Sequence, residues 1–236
     1  MIKAVLFDLD GTLLPMNQDE FVKLYMGLMA KKMSGYGYDP ELIVKAIWSG
    51  TDAMYKNNGN TTNEEVFWEE FGKYFDRDVR ADEPVFEDFY NNEFAGAKQA
   101  CGYNEKAKRL VETAKGTGCK VVLATNPIFP PVATRKRIMW AGISEDDFGF
   151  VTTYDNSHFS KPNKEYYKEI IAKLGVKPQE CLMIGNDVTE DMVAKNLGME
   201  VFLVTDYLIN KEDEDISQYP NGSLEEAIEY VKTIAK

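Results

Sequence analysis

Met1-Ile2-Lys3-Ala4-Val5-Leu6-Phe7-Asp8-Leu9-Asp10-Gly11-Thr12 opens the chain, and the break at Asp8 decides how the rest is read. Residues 2–7 are mostly apolar and rich in strand formers, and acidic residues and a glycine end the run. That pattern predicts a buried parallel strand feeding a loop. In an extended chain alternate side chains point the same way, so Asp8 and Asp10 converge, and Gly11 lets the backbone turn sharply behind them. Two neighbouring carboxylates repel unless a cation or proton sits between them, and oxygen ligands suit magnesium, Mg2+. Taken alone, Asp-x-Asp-Gly is also the composition of a turn whose side chains bond the local backbone.

From about Asn17 to Ala100 the period changes. Phe21, Leu24, Tyr25 and Leu28, then Phe67, Phe71, Tyr74 and Phe75, recur at three- and four-residue spacing, which predicts helices. Breaker clusters at 34–40 and 57–63 divide them, and Thr62 followed by Glu65 reads as a capping box. Aromatic residues at helical spacing are expected to form the interior of a small helical module rather than a stacking surface. Beyond Gly102, helices near 104–116, 131–140, 164–174 and 189–197 alternate with strands at 120–124, 150–153, 181–184 and 200–204, before a closing helix from about Ser223. Such alternation predicts an α/β fold, a doubly wound, mainly parallel sheet with helices on both faces. Because the first strand precedes the helical stretch and its partners follow it, residues 16–100 are expected to be an insertion. The core is then built from residues 1–15 and 101–236.

The chain has 236 residues, enough for such a core and a smaller module. Its 44% hydrophobic and 28% charged residues are those of a folded, soluble protein. A net charge of −12 argues against a broad nucleic-acid footprint, which needs a basic face. Cys101, Cys119 and Cys181 show no C-x-x-C spacing, so neither a disulfide framework nor a zinc site is expected, and a reducing cytoplasm fits. The first apolar run is too short for a signal-peptide core or a membrane span.

Ligands of open parallel sheets gather beyond the carboxyl ends of the strands, so polar residues at those ends are the candidates for a site. Thr125-Asn126-Pro127 follows Val121-Val122-Leu123-Ala124; a hydroxyl and a backbone N–H there suit phosphate oxygens, though the tripeptide is also a routine loop start. Lys161-Pro162 precedes a helix, where the lysine either offsets a phosphoryl charge or is a surface residue before a proline at the first helical position. Gly185-Asn186-Asp187-Val188-Thr189-Glu190-Asp191 follows Cys181-Leu182-Met183-Ile184. Asp187 and Asp191, four apart, either face one pocket or cap the next helix and complement its dipole.

In this order and at these strand ends, the four segments resemble the four signature motifs of the haloacid dehalogenase superfamily, whose core is Rossmann-like. The helical insertion falls where that family carries its cap. The resemblance implies a magnesium-dependent phosphatase acting on a small phosphorylated metabolite. Asp8 would be the nucleophile and Asp10 the general acid and base. Thr125, Asn126 and Lys161 would bind phosphate, and Asp8, the Asp10 carbonyl and Asp187 the metal. Gly11, Thr12, Asn186 and Asp191 would support them. The second aspartate separates phosphate esters from carbon–halogen substrates, whose leaving group needs no proton. One departure is Asn186, which stands between Gly185 and Asp187 where the family often has Gly-Asp; as Asn is neutral, Asp187 is the expected ligand. His158, the one histidine, is read as a loop residue because the Asp pair already fills the acid and base roles. A phosphomutase with the same residues is the alternative, and a phosphoacceptor receiver would leave the insertion and Asp10 unexplained.

Overall fold

A computed structural model describes residues 1–234. Six parallel strands, β1 (Ala4–Phe7), β2 (Lys120–Leu123), β3 (Phe150–Val151), β4 (Cys181–Gly185), β5 (Glu200–Val204) and β6 (Asn221–Gly222), lie in the order β3-β2-β1-β4-β5-β6. The strand expected at 150–153 is only two residues long, and the short edge strand β6 was not foreseen. β1 is central and buried along its whole length, which is why it reads as an unbroken apolar run. Phe7 pairs with Leu123 on one side and Ile184 on the other, so the carboxyl ends of β1, β2 and β4 lie level. The order reverses across β1, the switch point where such sheets bind ligands.

The sheet sorts its side chains by alternation. Val5 and Phe7, with Leu123, Ile184 and Phe202, pack among residues of α5 (Glu105–Gly116), α6 (Pro131–Trp140) and α8 (Leu224–Ile234). Ala4 and Leu6, with Val122, Met183 and Leu203, face the other way toward α7 (Lys164–Leu174) and the tight 3-10 segment Met192–Leu197. That last segment was expected to be an α-helix near 189–197. Instead, Asp187 caps the backbone at Thr189 and Glu190, and the chain turns before it winds.

Between β1 and α5 run α1 (Gln18–Ser34), α2 (Pro40–Tyr55), α3 (Asn63–Gly72) and α4 (Glu83–Asn91), with 3-10 segments at Val79–Asp82 and Glu93–Ala100. The two breaker clusters do separate helices: α1 ends at Ser34, α2 starts with Pro40 behind the Asp39 cap, and α3 follows the Thr62 cap. Only half of the expected capping box forms. Thr62 Oγ1 accepts from the Glu65 N–H at 3.3 Å, but the Glu65 carboxylate lies 2.9 Å from Arg80 Nη2. The helical stretch leaves and returns at one place, where Gly102 N–H donates to the Pro15 carbonyl (2.7 Å) and Asn17 N–H to that of Ala100 (3.1 Å).

A second junction lies at the start of α3. Asn63, fully buried, donates from Nδ2 to the Pro127 carbonyl and to Ser160 Oγ, both at 3.1 Å, and its backbone N–H reaches the Ser157 carbonyl. The aromatic residues of the insert are packed as expected. Phe71, Phe89 and Phe94 are buried, and the Trp68 and Phe86 rings meet edge to face with centroids 5.1 Å apart. Among the described residues no helix is long and apolar enough to cross a membrane.

Candidate active site

The β1 ladder continues one residue past the strand, since Asp8 N–H donates to the Ile184 carbonyl at 2.9 Å. This fixes the Asp8 backbone beside β4, and the side chain, 10% exposed, has two protein partners. Lys161 Nζ lies 2.8 Å from Oδ1, and Thr12 Oγ1 donates to Oδ2 at 3.2 Å. Lys161 is completely buried and also reaches Asp191 Oδ1 at 2.7 Å. The surface-lysine alternative therefore fails, and Pro162 does not begin the helix either, because Asn163 caps α7 and Lys164 starts it. Burial works against a charged lysine, but Asp191 and Asp8 outweigh it and hold its pKa well above the usual lysine value. The ammonium is thus a fixed cation beneath the nucleophile candidate.

The turn after β1 and the loop after β4 interlock. Gly11 has φ +84°, and a Cβ there would fall 2.4 Å from Asn186 Nδ2, so glycine is required on both counts. Both polar atoms of Asn186 are engaged: its Oδ1 accepts from Thr12 Oγ1 at 2.8 Å and its Nδ2 donates to the Tyr207 carbonyl at 2.6 Å. Asp191 is used as well, with Oδ1 on Lys161 and Oδ2 accepting from the Asp187 N–H at 3.0 Å. Its carboxyl is pushed up by burial, against the pull of Lys161. Asp187 combines the two roles its position allows. Oδ1 caps Thr189 and Glu190, each at 2.8 Å, while the residue also lines the cavity above Asp8.

Thr125 is buried, and its carbonyl is clamped by Thr152 Oγ1 (2.6 Å) and Tyr166 Oη (2.9 Å). Asn126 donates from Nδ2 to Glu190 Oε2 at 3.0 Å and to Tyr55 Oη of α2 at 3.2 Å, which ties the insert to this loop. Asp8, Asp10, Thr125, Asn126, Asn186, Asp187 and Asp191 all line one cavity of about 700 Å³. Its opposite wall comes from the insert, including Phe21, Tyr25, Phe67 and Trp68. These aromatic residues are therefore core on one side and cavity wall on the other.

Four site residues were not singled out from sequence. Arg137 is 1% exposed, forms an ion pair from Nη1 to Asp10 Oδ2, and lies 4.4 Å from the centre of the Phe129 ring. Asp10 Oδ1 is buried with no partner among the described residues. Burial is the main influence on Asp10 and raises its pKa, with Arg137 pulling the other way. Glu190, whose pKa burial lifts to about 8, joins the same carboxylate group. Tyr55 and Asn63 complete the set, supplied by the insert. His158 is not part of it. Its Nδ1 pairs with Glu169 of α7 at 2.8 Å and it does not line the cavity, in keeping with the loop role expected.

The donor set suits a divalent cation. Asp8, Asp10, Asp187, Glu190 and Asp191 put five carboxylates around the floor against two buried cations, Lys161 and Arg137. Among the described residues no three His, Cys, Asp or Glu side chains are placed to hold a metal ion together. The expected set needs only two, Asp8 and Asp187, with the Asp10 carbonyl. Asp187 keeps one carboxylate oxygen that caps no backbone, and an oxygen-only set matches magnesium.

A family model described as haloacid dehalogenase-like hydrolase matches residues 2–198. The chain is 28% identical to a glyceraldehyde 3-phosphate phosphatase of Methanocaldococcus jannaschii, over all of both chains. It is 23% identical to a protein of the same description from Methanothermobacter thermautotrophicus, over 92% of each. Among solved structures, a haloacid dehalogenase-family phosphatase from Thermococcus onnurineus superposes with a TM-score of 0.58 at 20% identity, covering 99% of this chain and 97% of that one. A 2-haloacid dehalogenase from Pseudomonas syringae does so at 0.64 and 16% identity, with all of both chains covered. The matched model spans β1 through the loop after β4, every strand end described above, and the chain belongs to the haloacid dehalogenase-like hydrolases.

Proposed function

We propose that the protein is a magnesium-dependent phosphatase that hydrolyses a phosphate monoester of a small metabolite through an aspartyl-phosphate on Asp8. The observation that carries this reading is the Lys161 ammonium, fully buried 2.8 Å behind Asp8, whose carboxylate lines a cavity large enough for an organic phosphate. A carboxylate cannot approach an anionic phosphorus centre without compensating positive charge, and Lys161 supplies it at the point of attack. Bound at Asp8, the Asp10 carbonyl and Asp187, magnesium would add Lewis-acid stabilisation of the phosphoryl oxygens.

The Asp8 carboxylate oxygen bonds to phosphorus as the P–O ester bond breaks, and Asp10 passes its proton to the departing alkoxide. Burial favours the protonated Asp10 that this step requires, and Arg137 holds the side chain in place. Asp10 then takes a proton from the water that attacks the acyl phosphate, which frees phosphate and Asp8. Thr125, Asn126 and Lys161 steady the phosphoryl oxygens. Thr12, Asn186 and Asp191 hold Asp8, Lys161 and the Asp187 backbone in register.

Asp10 also argues for ester hydrolysis rather than dehalogenation, as a halide leaves without a proton. Residues 16–100 act as the cap over a core of residues 1–15 and 101–236. The two relatives named for glyceraldehyde 3-phosphate and the uncharged remainder of that ester are consistent with this site. Three free thiols agree with work in a reducing cytoplasm. Phosphate release from glyceraldehyde 3-phosphate with added magnesium, measured beside Asp8→Asn, tests the reading. Magnesium-dependent turnover that Asp8→Asn abolishes supports it, and equal turnover by both proteins refutes it.

A further inference from the structure

Above the phosphoryl end, the cavity wall is apolar and acidic, and that combination selects a leaving group. Met26, Met29, Ile47, Trp48, Phe67 and Phe86 form the apolar part. Trp48 is 50% exposed although it belongs to a helix whose neighbouring face is buried, so a large ring stands uncovered beside the cavity. At about 700 Å³ the space is in the range of pockets that enclose drug-sized molecules. A three-carbon ester such as glyceraldehyde 3-phosphate brings no second anion but would leave most of this space to water.

The charged part is predominantly acidic. Glu64, Glu83, Glu87 and Asp155 line the wall. Arg80 pairs with Glu83 at 2.7 Å and stands 3.6 Å from Glu64, but it does not itself line the cavity. Arg135 and Lys211 are the lining cations among the described residues, and Arg135 is already paired with Glu145 at 2.6 Å. Glu64 shows the strain of this arrangement: burial raises its pKa, and Asp155 and Glu83 add to the rise against Arg80. The buried Trp68 Nε1 makes no close hydrogen bond among the described residues, and its polar neighbour, the Tyr154 hydroxyl, lines the cavity with it.

We propose that the preferred leaving group is an alcohol with a bulky apolar body and no negative charge, and that esters bearing a second anion are rejected. This rests on the phosphatase reading and narrows it. A second carboxylate or phosphate would lie against four acidic side chains, and Lys211, the lining cation without an ion pair among the described residues, is solvent-exposed and offsets them weakly, which leaves selection by repulsion. An aromatic or branched body would instead cover Trp48 and the methionines.

The test compares kcat/KM, with magnesium present, for four alkyl phosphates whose leaving groups have similar basicity: ethyl, benzyl, 4-carboxybenzyl and 4-(aminomethyl)benzyl phosphate. Benzyl phosphate should exceed ethyl phosphate by about tenfold or more, the usual reward for filling an apolar pocket. The carboxylate should cost about tenfold relative to benzyl, and the aminomethyl group should be accepted. Trp48→Ala should narrow the benzyl-to-ethyl ratio, and Glu87→Lys, a change at an exposed residue, should narrow the carboxylate penalty. Ethyl phosphate equal to benzyl, or 4-carboxybenzyl equal to benzyl, overturns the proposal while leaving a phosphatase. Absence of phosphate release from all four while glyceraldehyde 3-phosphate is hydrolysed also overturns the proposal, and absence of release from all five overturns the phosphatase reading itself.

Discussion

Replacing Lys161 by methionine keeps the length of the side chain and removes the charge, so it isolates what the ammonium does. In the folded protein Nζ meets Asp8 Oδ1 at 2.8 Å and Asp191 Oδ1 at 2.7 Å with no exposure to water. At an effective dielectric constant of about 20, each contact corresponds to roughly 6 kcal/mol of Coulomb attraction before desolvation is counted. Stripping water from the lysine offsets most of that. What the variant loses is set by the two buried carboxylates left without a cation, each keeping one neutral donor, and breaking a buried pair in this way costs about 3–5 kcal/mol. With two acids stranded, the upper end is expected, near 5 kcal/mol, or a fall in Tm of about 10–20 °C for a chain of this size. The Lys161 pKa is raised on folding, so its contribution is whole below the ordinary lysine value and is lost only as pH climbs through the higher folded value. Melting at neutral pH therefore reads the full effect. Adding Asp191→Asn to the methionine variant should restore part of the stability, since one stranded charge is removed. A Tm within about 2 °C of the parent, with no response to Asp191→Asn, would refute the view that Lys161 compensates these carboxylates.

Other consequences are equally direct. Asn63→Ala removes donors to Pro127 and Ser160 and the acceptor that Asn57 Nδ2 uses at 2.9 Å; a loss of about 3 kcal/mol in chemical denaturation is expected, with faster amide exchange in residues 57–63. Unchanged stability and exchange would show that this junction does not hold the insert. Gly185→Ala places a Cβ 2.1 Å from Asp191 Oδ2, so Asp191 must move off Lys161 and stability should fall by about 2 kcal/mol, a change that calorimetry resolves. Glu169 is raised by burial, but bonds from the His158 ring and backbone and from Lys173 outweigh this and lower its pKa. Its stabilising share is therefore present above the ordinary glutamate range and lost as pH falls through the lower folded value. Glu169→Gln should be less stable than the parent by about 2 kcal/mol at neutral pH and equal to it in acid; a deficit that persists in acid would mean that packing, not charge, is responsible.

How much of this was legible depended on how local the cause was. β1 and the turn after it could be read because burial on both faces writes an apolar run and the turn demands Gly11, two effects contained in a dozen residues. The alternation after Gly102 was readable for the same reason. Lys161 was recognised through its place in an ordered set of strand ends; alone it resembled any lysine before a proline, and only the packed fold shows it without water. Arg137 gave no signal. It sits in Arg135-Lys136-Arg137, which reads as a solvated helix face, yet the turn of α6 buries one of the three against Asp10. Asn63 was hidden within a polar breaker cluster, since its partners lie 64 and 97 residues away. The segment 192–197 has helix-forming residues, but the Asp187 cap and the Asp191 bond to its N–H tighten the entry, and a 3-10 winding results. β6 is a two-residue edge pairing with β5 and too short to leave a period.

The claim on which the rest depends is that Asp8 carries the phosphoryl group during turnover. Acid quench of the magnesium-loaded enzyme during hydrolysis of a radiolabelled phosphate monoester, followed by peptide mapping, addresses it without reference to rate. Label bound as a hydroxylamine-sensitive acyl phosphate on the peptide containing Asp8, and missing from Asp8→Asn, is the expected result. Label on any other residue, or substrate hydrolysis by Asp8→Asn at the parent rate, would contradict the mechanism.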